Sequence, residues 1–152
     1  MTKSRVRNMG LFLAFLIIGL LGLMVFVRLA PVDPAQWHTG QTVQDWASVA
    51  PGAVLVRRDG ALLRLTADQE APDDLLGRLD AIALATPRTT RLAGSVAEGR
   101  ITWETRSLIW GFPDYTTAEV LPDGVGLNGR LRFGGSDLGV NAARLSAWQA
   151  EL

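Results

Sequence analysis

The chain contains no cysteine, which excludes disulfide bonds, thiol nucleophiles and metal or iron–sulfur centres held by cysteine. Histidine is nearly absent as well, because His38 is the only one. A hydrolytic triad needs a histidine beside its nucleophile, and His38 lies far upstream of the other polar motifs. We therefore expect His38 to make an ordinary polar contact, and we predict no cofactor and no metal.

The chain has no excess of either charge, since fifteen basic and fifteen acidic groups give a formal net charge of zero. The basic residues Lys3, Arg5, Arg7 and Arg28 surround the first apolar run. Residues 31–152 therefore hold eleven basic and fifteen acidic groups, a net charge of −4. A mildly acidic domain lacks the basic surface that nucleic-acid binding requires, so we predict no nucleic-acid partner.

Charged groups are missing altogether from the nineteen residues 9–27. A helix of that length spans roughly the ~30 Å hydrocarbon core of a bilayer. A cleaved signal peptide is the alternative, but cleavage after Ala30 would be flanked unfavourably by Arg28 and Pro31. We predict an uncleaved anchor. Its preceding basic residues place the N-terminus in the cytoplasm and the following domain in the periplasm, on the cytoplasmic (inner) membrane.

These features divide the chain into a cytoplasmic tail (1–8), a transmembrane anchor (9–30), a juxtamembrane linker (31–51) and an extracytoplasmic domain (52–152). The linker contains three prolines and is expected to be irregular. Its Trp37 and Trp46 suit either the membrane interface, which amphipathic rings prefer, or packing under the domain.

The domain is predicted to be α+β, with an antiparallel sheet of about four to six strands and two helices on one face. Asp59-Gly60 is a strong hairpin signal between strands at 53–58 and 61–66. Pro72 starts a helix with one apolar face, and Pro87 ends it. The remaining elements are strands at about 89–96, 100–108, 114–121 and 125–133, and a helix at 140–151.

Residues 124–129 read GVGLNG and match the dinucleotide-binding pattern GxGxxG letter for letter. That pattern works only between a strand and a helix, where the pyrophosphate meets the helix N-terminus. Here the glycines follow a hairpin turn and continue along a strand, so we interpret the match as coincidental.

The strands at 100–108 and 125–133 alternate apolar and charged residues, which indicates a sheet with one buried and one charged face. The arginines on the charged face would repel one another unless Glu104, Glu119 or an outside anion neutralised them. These arginines are Arg100, Arg106, Arg130 and Arg132. Two interpretations stay open: a solvated face with internal ion pairs, or an anion-binding site.

The connection at 134–139 reads GGSDLG and leads from the last strand into the last helix. It lacks the lysine of a P-loop and the GxSxG spacing of a nucleophile elbow. Its glycines permit a tight turn, and Ser136, Asp137 or Asn141 is expected to cap the helix. Asp137 and Asn141 are therefore predicted to be structural before they are functional.

The same stretch resembles the C-terminal signature of a bacterial and plastid family known as domain of unknown function fourteen-ninety-nine. The resemblance covers roughly residues 72–150 and is specific at 132–144. It is carried by Arg132 and Gly134, by Ser136-Asp137-Leu138-Gly139-Val140-Asn141 with Arg144, and by the Phe-x-Asp element of Phe112 and Asp114.

Some positions depart from that family. Tyr115 stands where the family often has a second aspartate. Asn128, Gly129 and Leu131 replace Arg and Ser positions in its penultimate strand, and its N-terminal cysteine motif is absent. What the resemblance implies is a small envelope domain with no established reaction.

The predicted function is a non-catalytic binding or accessory module of the cell envelope. Its expected partners are membrane lipid, through the anchor, and an envelope protein or an anionic ligand. The candidate binding residues are Arg130, Arg132, Asp114, Asp137, Asn141 and Arg144. The alternative is an envelope hydrolase or transferase in which Asp114 and Asp137 act while Arg132 and Arg144 hold an anion, and it requires these four side chains to converge in one pocket.

Overall fold

The computed structural model describes residues 3–152, so residues 1–2 of the predicted tail lie outside the described part. The helices are α1 (Lys3–Leu29), α2 (Pro34–Trp37), α3 (Val43–Ala47), α4 (Pro72–Ala85) and α5 (Val140–Ala150). The strands are β1 (Val54–Arg57), β2 (Gly60–Thr66), β3 (Thr89–Ser95), β4 (Arg100–Arg106), β5 (Pro113–Leu121) and β6 (Gly124–Leu131). A single 3-10 turn, Val96–Glu98, joins β3 to β4.

The six strands form one open antiparallel sheet in the order β1-β2-β6-β5-β4-β3. With α4 and α5 this confirms the predicted α+β class. β4 and β6 each end two residues before the prediction, because the chain turns away into the loops 107–112 and 132–139. Gly111 (φ 75°) and Gly134 (φ 105°) supply the left-handed backbone that these turns need.

The first face of the sheet is covered by α4 and α5. Pro72 begins α4, and Asp73 and Asp74 in its first turn complement the free N–H groups there. Both helices bury an apolar stripe against the sheet, and Trp148 of α5 meets Trp103 of β4 edge to face at 5.5 Å. The core consists of Ala61, Leu63, Leu65, Leu75, Leu76, Leu79, Ala83, Ile101, Trp103, Ala118, Val125, Leu127, Leu145 and Trp148.

The second face carries the charged residues, and it is covered by another part of the chain. Residues 31–51, which we call the strap, lie across it with α2 and α3. The ring of Trp37 stacks on Tyr115 at 4.1 Å between centroids, and Tyr115 is fully buried. Trp46 is only 6% exposed and packs with Val49 and Leu62. The strap is therefore part of the folded domain, and packing under the domain accounts for both tryptophans.

The glycines of β6 explain the GxGxxG match, because they make room on both faces of the sheet. A methyl group on Gly126 would lie 2.5 Å from Cζ2 of Trp46 in the strap. A methyl group on Gly129 would lie 2.9 Å from Oδ1 of Asn141 in α5. Real Cβ atoms do not approach other atoms this closely, so these glycines permit close packing of strap and helix on the strand.

The residues Arg7–Leu29 of α1 are long and apolar enough to cross a membrane, or to act as a signal sequence. The predicted span 9–27 lies inside this helix. Its C-terminal end touches the domain: Val27 is 2% exposed, and Nη2 of Arg28 donates to the carbonyl of Ile109 at 3.0 Å. We call the edge of the domain that contains the loops 107–112 and 132–139 the anchor end.

Gly126→Ala is expected to destabilise the domain by about 1–3 kcal/mol, the usual cost of overpacking a filled site. The reason is that Trp46 would have to leave its place against β6. Thermal unfolding of the purified full chain measures the effect. Gly135→Ala is the matched control, since a methyl group there has its nearest neighbour, Nη2 of Arg58, at 3.7 Å. Equal melting temperatures for the two variants would contradict the close packing of the strap.

Candidate functional site

Four of the six candidate residues form one group at the anchor end, on the helix-covered side of the sheet. We call Asp114, Asp137, Asn141 and Arg144 the polar cluster. Asp114 stands near the start of β5, directly opposite Leu131 of β6 and Thr105 of β4. Asn141 and Arg144 are three residues apart on α5 and so lie on one side of that helix.

Arg144 connects two other members of the polar cluster, Asp114 and Asn141. Its Nη2 atom lies 3.2 Å from Oδ2 of Asp114, and its Nη1 atom donates to Oδ1 of Asn141 at 2.7 Å. The amide of Asn141 is 3.5 Å from the same Asp114 oxygen. Asn141 is completely buried and its side chain makes these contacts instead of capping the helix. The cluster thus ties the first turn of α5 to the start of β5.

Asp137 caps α5 from the preceding loop, as predicted for one of the three capping candidates. Its Oδ1 atom accepts from the backbone N–H of Gly139 and its Oδ2 atom from that of Asn141, each at 3.0 Å. The N–H groups in the first turn of a helix have no partner within the helix, so an acceptor here stabilises the helix start.

The two carboxylates have opposite electrostatic environments. Burial raises the pKa of Asp114 above its usual value of 3.8, and the nearby charge of Asp137 adds to the shift against the opposing effect of Arg144. For Asp137, burial also disfavours ionisation, but the backbone N–H groups of Gly139 and Asn141 outweigh it and hold its pKa below 3.8. Asp114 is therefore the group of the pair that holds a proton more readily.

Two clefts open on Asp114. One of 240 Å³ runs between the α4–β3 connection and α5, and its charged lining comprises Asp114, Arg88, Arg106 and Arg144. The other, of 210 Å³, lies between the loops 107–112 and 132–139 and includes Asp137. Val140 lines both clefts. A larger cleft of 420 Å³ lies at the opposite end of the sheet, beside Trp46 and Pro122, and contains none of the candidate residues.

Arg130 is on the strap-covered face, away from the polar cluster. Its Nη2 atom donates to Thr117 Oγ1 at 2.7 Å and to the carbonyl of Trp37, and its guanidinium lies 5.5 Å from the centroid of the Trp37 ring. Burial lowers the pKa of Arg130 below its usual value. Its contacts hold the strap on the sheet.

Arg132 faces the same way as Arg130, because it follows Leu131, which shares the face of Asp114. It donates to the carbonyl of Pro31 at 2.6 Å and approaches the hydroxyl of Tyr115 at 3.3 Å. Asp114, Asp137 and Arg144 therefore lie together, but Arg132 does not join them. The single histidine is also remote, since His38 Nδ1 is hydrogen-bonded to Thr102 Oγ1 on the strap side at 2.9 Å.

The remaining arginines of the charged face have acidic partners, as in the interpretation with internal ion pairs. Arg100 Nη2 lies 2.9 Å from Glu119, and Arg106 Nε lies 2.6 Å from Glu104. No cluster of three or more metal-ligating residues exists among residues 3–152 as described.

Two arginines at the anchor end were missed from the sequence. In the sequence Arg28 stands out only as a flank of the anchor, and Arg88 follows Pro87 without any pattern around it. Arg88 has φ 61° and Leu138 has φ 52°, and they are the two non-glycine residues with positive φ in the described part of the chain. Arg88 lines one of the two clefts, and Leu138 directly follows Asp137, which lines the other. Such strained backbone concentrates at functional sites. The sequence feature that marks this end of the domain is the uncharged loop 107–112, which reads SLIWGF.

Comparison with known proteins identifies one family. The model of a family described as "Protein of unknown function (DUF1499)" matches residues 28–152. The match is longer than the resemblance at 72–150 and includes the whole strap. None of the curated proteins and none of the solved structures searched matches the chain.

Asp137→Ala is expected to lower the free energy of unfolding by about 0.5–2 kcal/mol, because two N–H groups lose their acceptor. Asp137→Asn keeps an acceptor and should cost less. Because the folded pKa of Asp137 lies below its usual 3.8, its ionised form stabilises the fold above that pH, and this contribution disappears as the pH falls through the folded pKa.

Denaturant titrations at several pH values measure this effect. The deficit of Asp137→Asn against the parent should be largest near neutral pH and should shrink below about pH 4. The charge of Asp137 also raises the pKa of Asp114, so the comparison is repeated in an Asp114→Asn background, where Asp114 no longer titrates. A deficit that is independent of pH, or an alanine variant as stable as the parent, would show that Asp137 does not cap α5.

Proposed function

Because the chain belongs to the DUF1499 family, a family without an assigned reaction, we propose a function from the arrangement of the molecule itself. The chain is a single-pass protein of the bacterial cytoplasmic membrane. It holds a non-catalytic binding module on the periplasmic side. The module binds an envelope partner or an anionic ligand at its anchor end, around Asp114 and Arg144.

The observation that carries this proposal is the location of the open clefts. One face of the sheet is filled by α4 and α5 and the other by the strap, so neither face offers a broad polar surface. Asp114 and Arg144 instead open on clefts at the end of the sheet where α1 enters. A partner bound there sits close to the membrane surface.

The charge of the larger of these two clefts favours an anionic group. Three arginines and one aspartate line it, and Arg106 is already paired with Glu104. The charge of Asp114 neutralises that of Arg144. Of the three arginines that line this cleft in the described part of the chain, Arg88 is then the one without an acidic partner. Guanidinium groups bind carboxylate and phosphate in bidentate geometry, and both groups are common in envelope components.

A hydrolase or transferase remains the second candidate, and one observation favours it. Asp114 lies at two clefts and has a raised pKa, which is a property of general acids. Against it, Arg132 faces the strap, so the anion would have to be held by Arg144 and Arg88 instead.

Single cysteines can test this proposal, since the chain has none of its own. Val140 lines both clefts and is 52% exposed, and Val56 on β1 is the control at 62%. In cells with a permeabilised outer membrane, an impermeant maleimide should label both variants, and the protein should resist alkaline extraction from membranes.

The same labelling tests for a bound partner. Val140→Cys should react several-fold more slowly in cells than after purification, because purification removes the partner that covers it. Val56→Cys should react at the same rate in both.

Each part of the proposal has its own contrary result. Labelling only after cell lysis would reverse the orientation, and a soluble protein starting near Pro31 would exclude the anchor. Equal rates at Val140 in cells and after purification would exclude a bound partner.

A further inference from the structure

A third cleft at the anchor end has a different chemistry. Its volume is 310 Å³, and it lies between the end of α1, β4 and the loop 107–112. Its charged lining consists of three arginines and one glutamate, namely Arg28, Arg88, Arg106 and Glu104, and we call it the arginine cleft. It adjoins the cleft of Asp114 but is not part of the polar cluster.

Two of its arginines have no acidic partner. Arg106 is paired with Glu104 at 2.6 Å. Among residues 3–152 as described, no carboxylate lies within 4.0 Å of Arg28 or Arg88. The cleft therefore holds a net positive charge, although residues 31–152, which include Arg88 and Arg106, carry a net charge of −4. Like charges held together in a cleft attract an anion.

The backbone fixes both guanidinium groups in place. Arg28 donates through Nη2 to the carbonyl of Ile109 at 3.0 Å. Arg88 donates through Nε to the carbonyl of Arg106 at 3.0 Å, and its own carbonyl accepts from the N–H of Arg106 at 3.0 Å. Arg88 holds this position despite its positive φ of 61°. Each arginine keeps further N–H donors for a ligand.

The rim of the arginine cleft is apolar and exposed. Leu108, Ile109 and Trp110 are 71%, 69% and 37% exposed, and no charge occurs in the loop 107–112. Arg28 lies in the last turn of the apolar helix and is bonded to this loop. Once α1 spans a bilayer, Arg28 lies at the level of the lipid headgroups on that side, and the loop lies beside it. Tryptophan is favoured at this level, and an arginine near the end of a membrane helix extends its guanidinium group to it.

We propose that the arginine cleft binds the phosphate of an anionic phospholipid headgroup, while Leu108, Ile109 and Trp110 enter the membrane interface. This inference rests on the anchoring proposed above. The phosphate accepts hydrogen bonds from Arg28 and Arg88, and the apolar rim meets the acyl chains of the same leaflet. The domain is thereby held at one fixed orientation to the membrane.

Native mass spectrometry of the full chain released from mixed vesicles of phosphatidylcholine and phosphatidylglycerol tests the headgroup site. Phosphatidylglycerol adducts should be enriched on the parent, and Arg88→Gln should lose this enrichment several-fold. Arg57→Gln is the matched control, because it removes the same charge from β1, beside Asp45 and away from the cleft. Equal adducts on both variants would overturn the site. Binding of inorganic phosphate to the cleft without a preference for phosphatidylglycerol over phosphatidylcholine would overturn it as well.

Spin labels on single cysteines test the apolar rim in the same vesicles. A label at Ile109→Cys should collide with oxygen more than with an aqueous nickel reagent, and a label at Val43→Cys should do the reverse. Val43 is 81% exposed and lies at the opposite end of the sheet, beside Pro122. If the labels at Ile109 and Val43 both lie in water, or both lie in lipid, the proposed orientation is wrong.

A third label at Phe15→Cys, within α1, separates this inference from the anchoring. If Phe15 is in lipid and Ile109 in water, the anchor stands and the headgroup site fails. If Phe15 is also in water, the anchoring itself is wrong and the inference fails with it.

Discussion

The rest of the structure depends on the hydrogen bonds that the carboxylate of Glu119 accepts. It is 7% exposed in the middle of the sheet. It accepts from the backbone N–H of Gln41 at 2.7 Å, the indole N–H of Trp46 at 2.8 Å and Nη2 of Arg100 at 2.9 Å. A buried charge is tolerated only when its hydrogen bonds are satisfied. The strap supplies two of the three donors. The buried charge of the sheet is therefore satisfied only when the strap is docked, and the same hydrogen bonds hold the strap in place.

This requirement connects the sheet to the apolar helix α1. The strap begins two residues after α1 ends, and Arg130 and Arg132 bind backbone carbonyls at its start. A strap held along its length leaves little freedom between helix and sheet. The anchor end, with the clefts around Asp114 and the arginine cleft, is thereby fixed against the end of α1. A flexible linker would allow the same clefts to face any direction. The family match from residue 28 agrees with a unit that includes the strap.

The sheet could be predicted from the sequence because its signals are local. Asp59-Gly60, the alternation in β4 and β6, and the prolines around α4 each act over a few residues. The strap could not, because Trp46 and Glu119 are 73 residues apart and no periodicity links them. The candidate site was half predictable. Asp137, Asn141 and Arg144 share one short stretch, but the face of Arg132 depends on the register that sets Asp114 opposite Leu131.

Hydrogen exchange at the amide of Gln41, followed by NMR on the full chain in a membrane mimetic, tests the central claim most directly. This N–H has the Glu119 side chain as its acceptor, so its exchange reports the docking of the strap. We predict exchange far slower than in an unstructured peptide, with the protection lost in Glu119→Ala. Exchange at the unstructured rate, while the amides of β5 stay protected, would show that the strap is a free linker and would contradict the account.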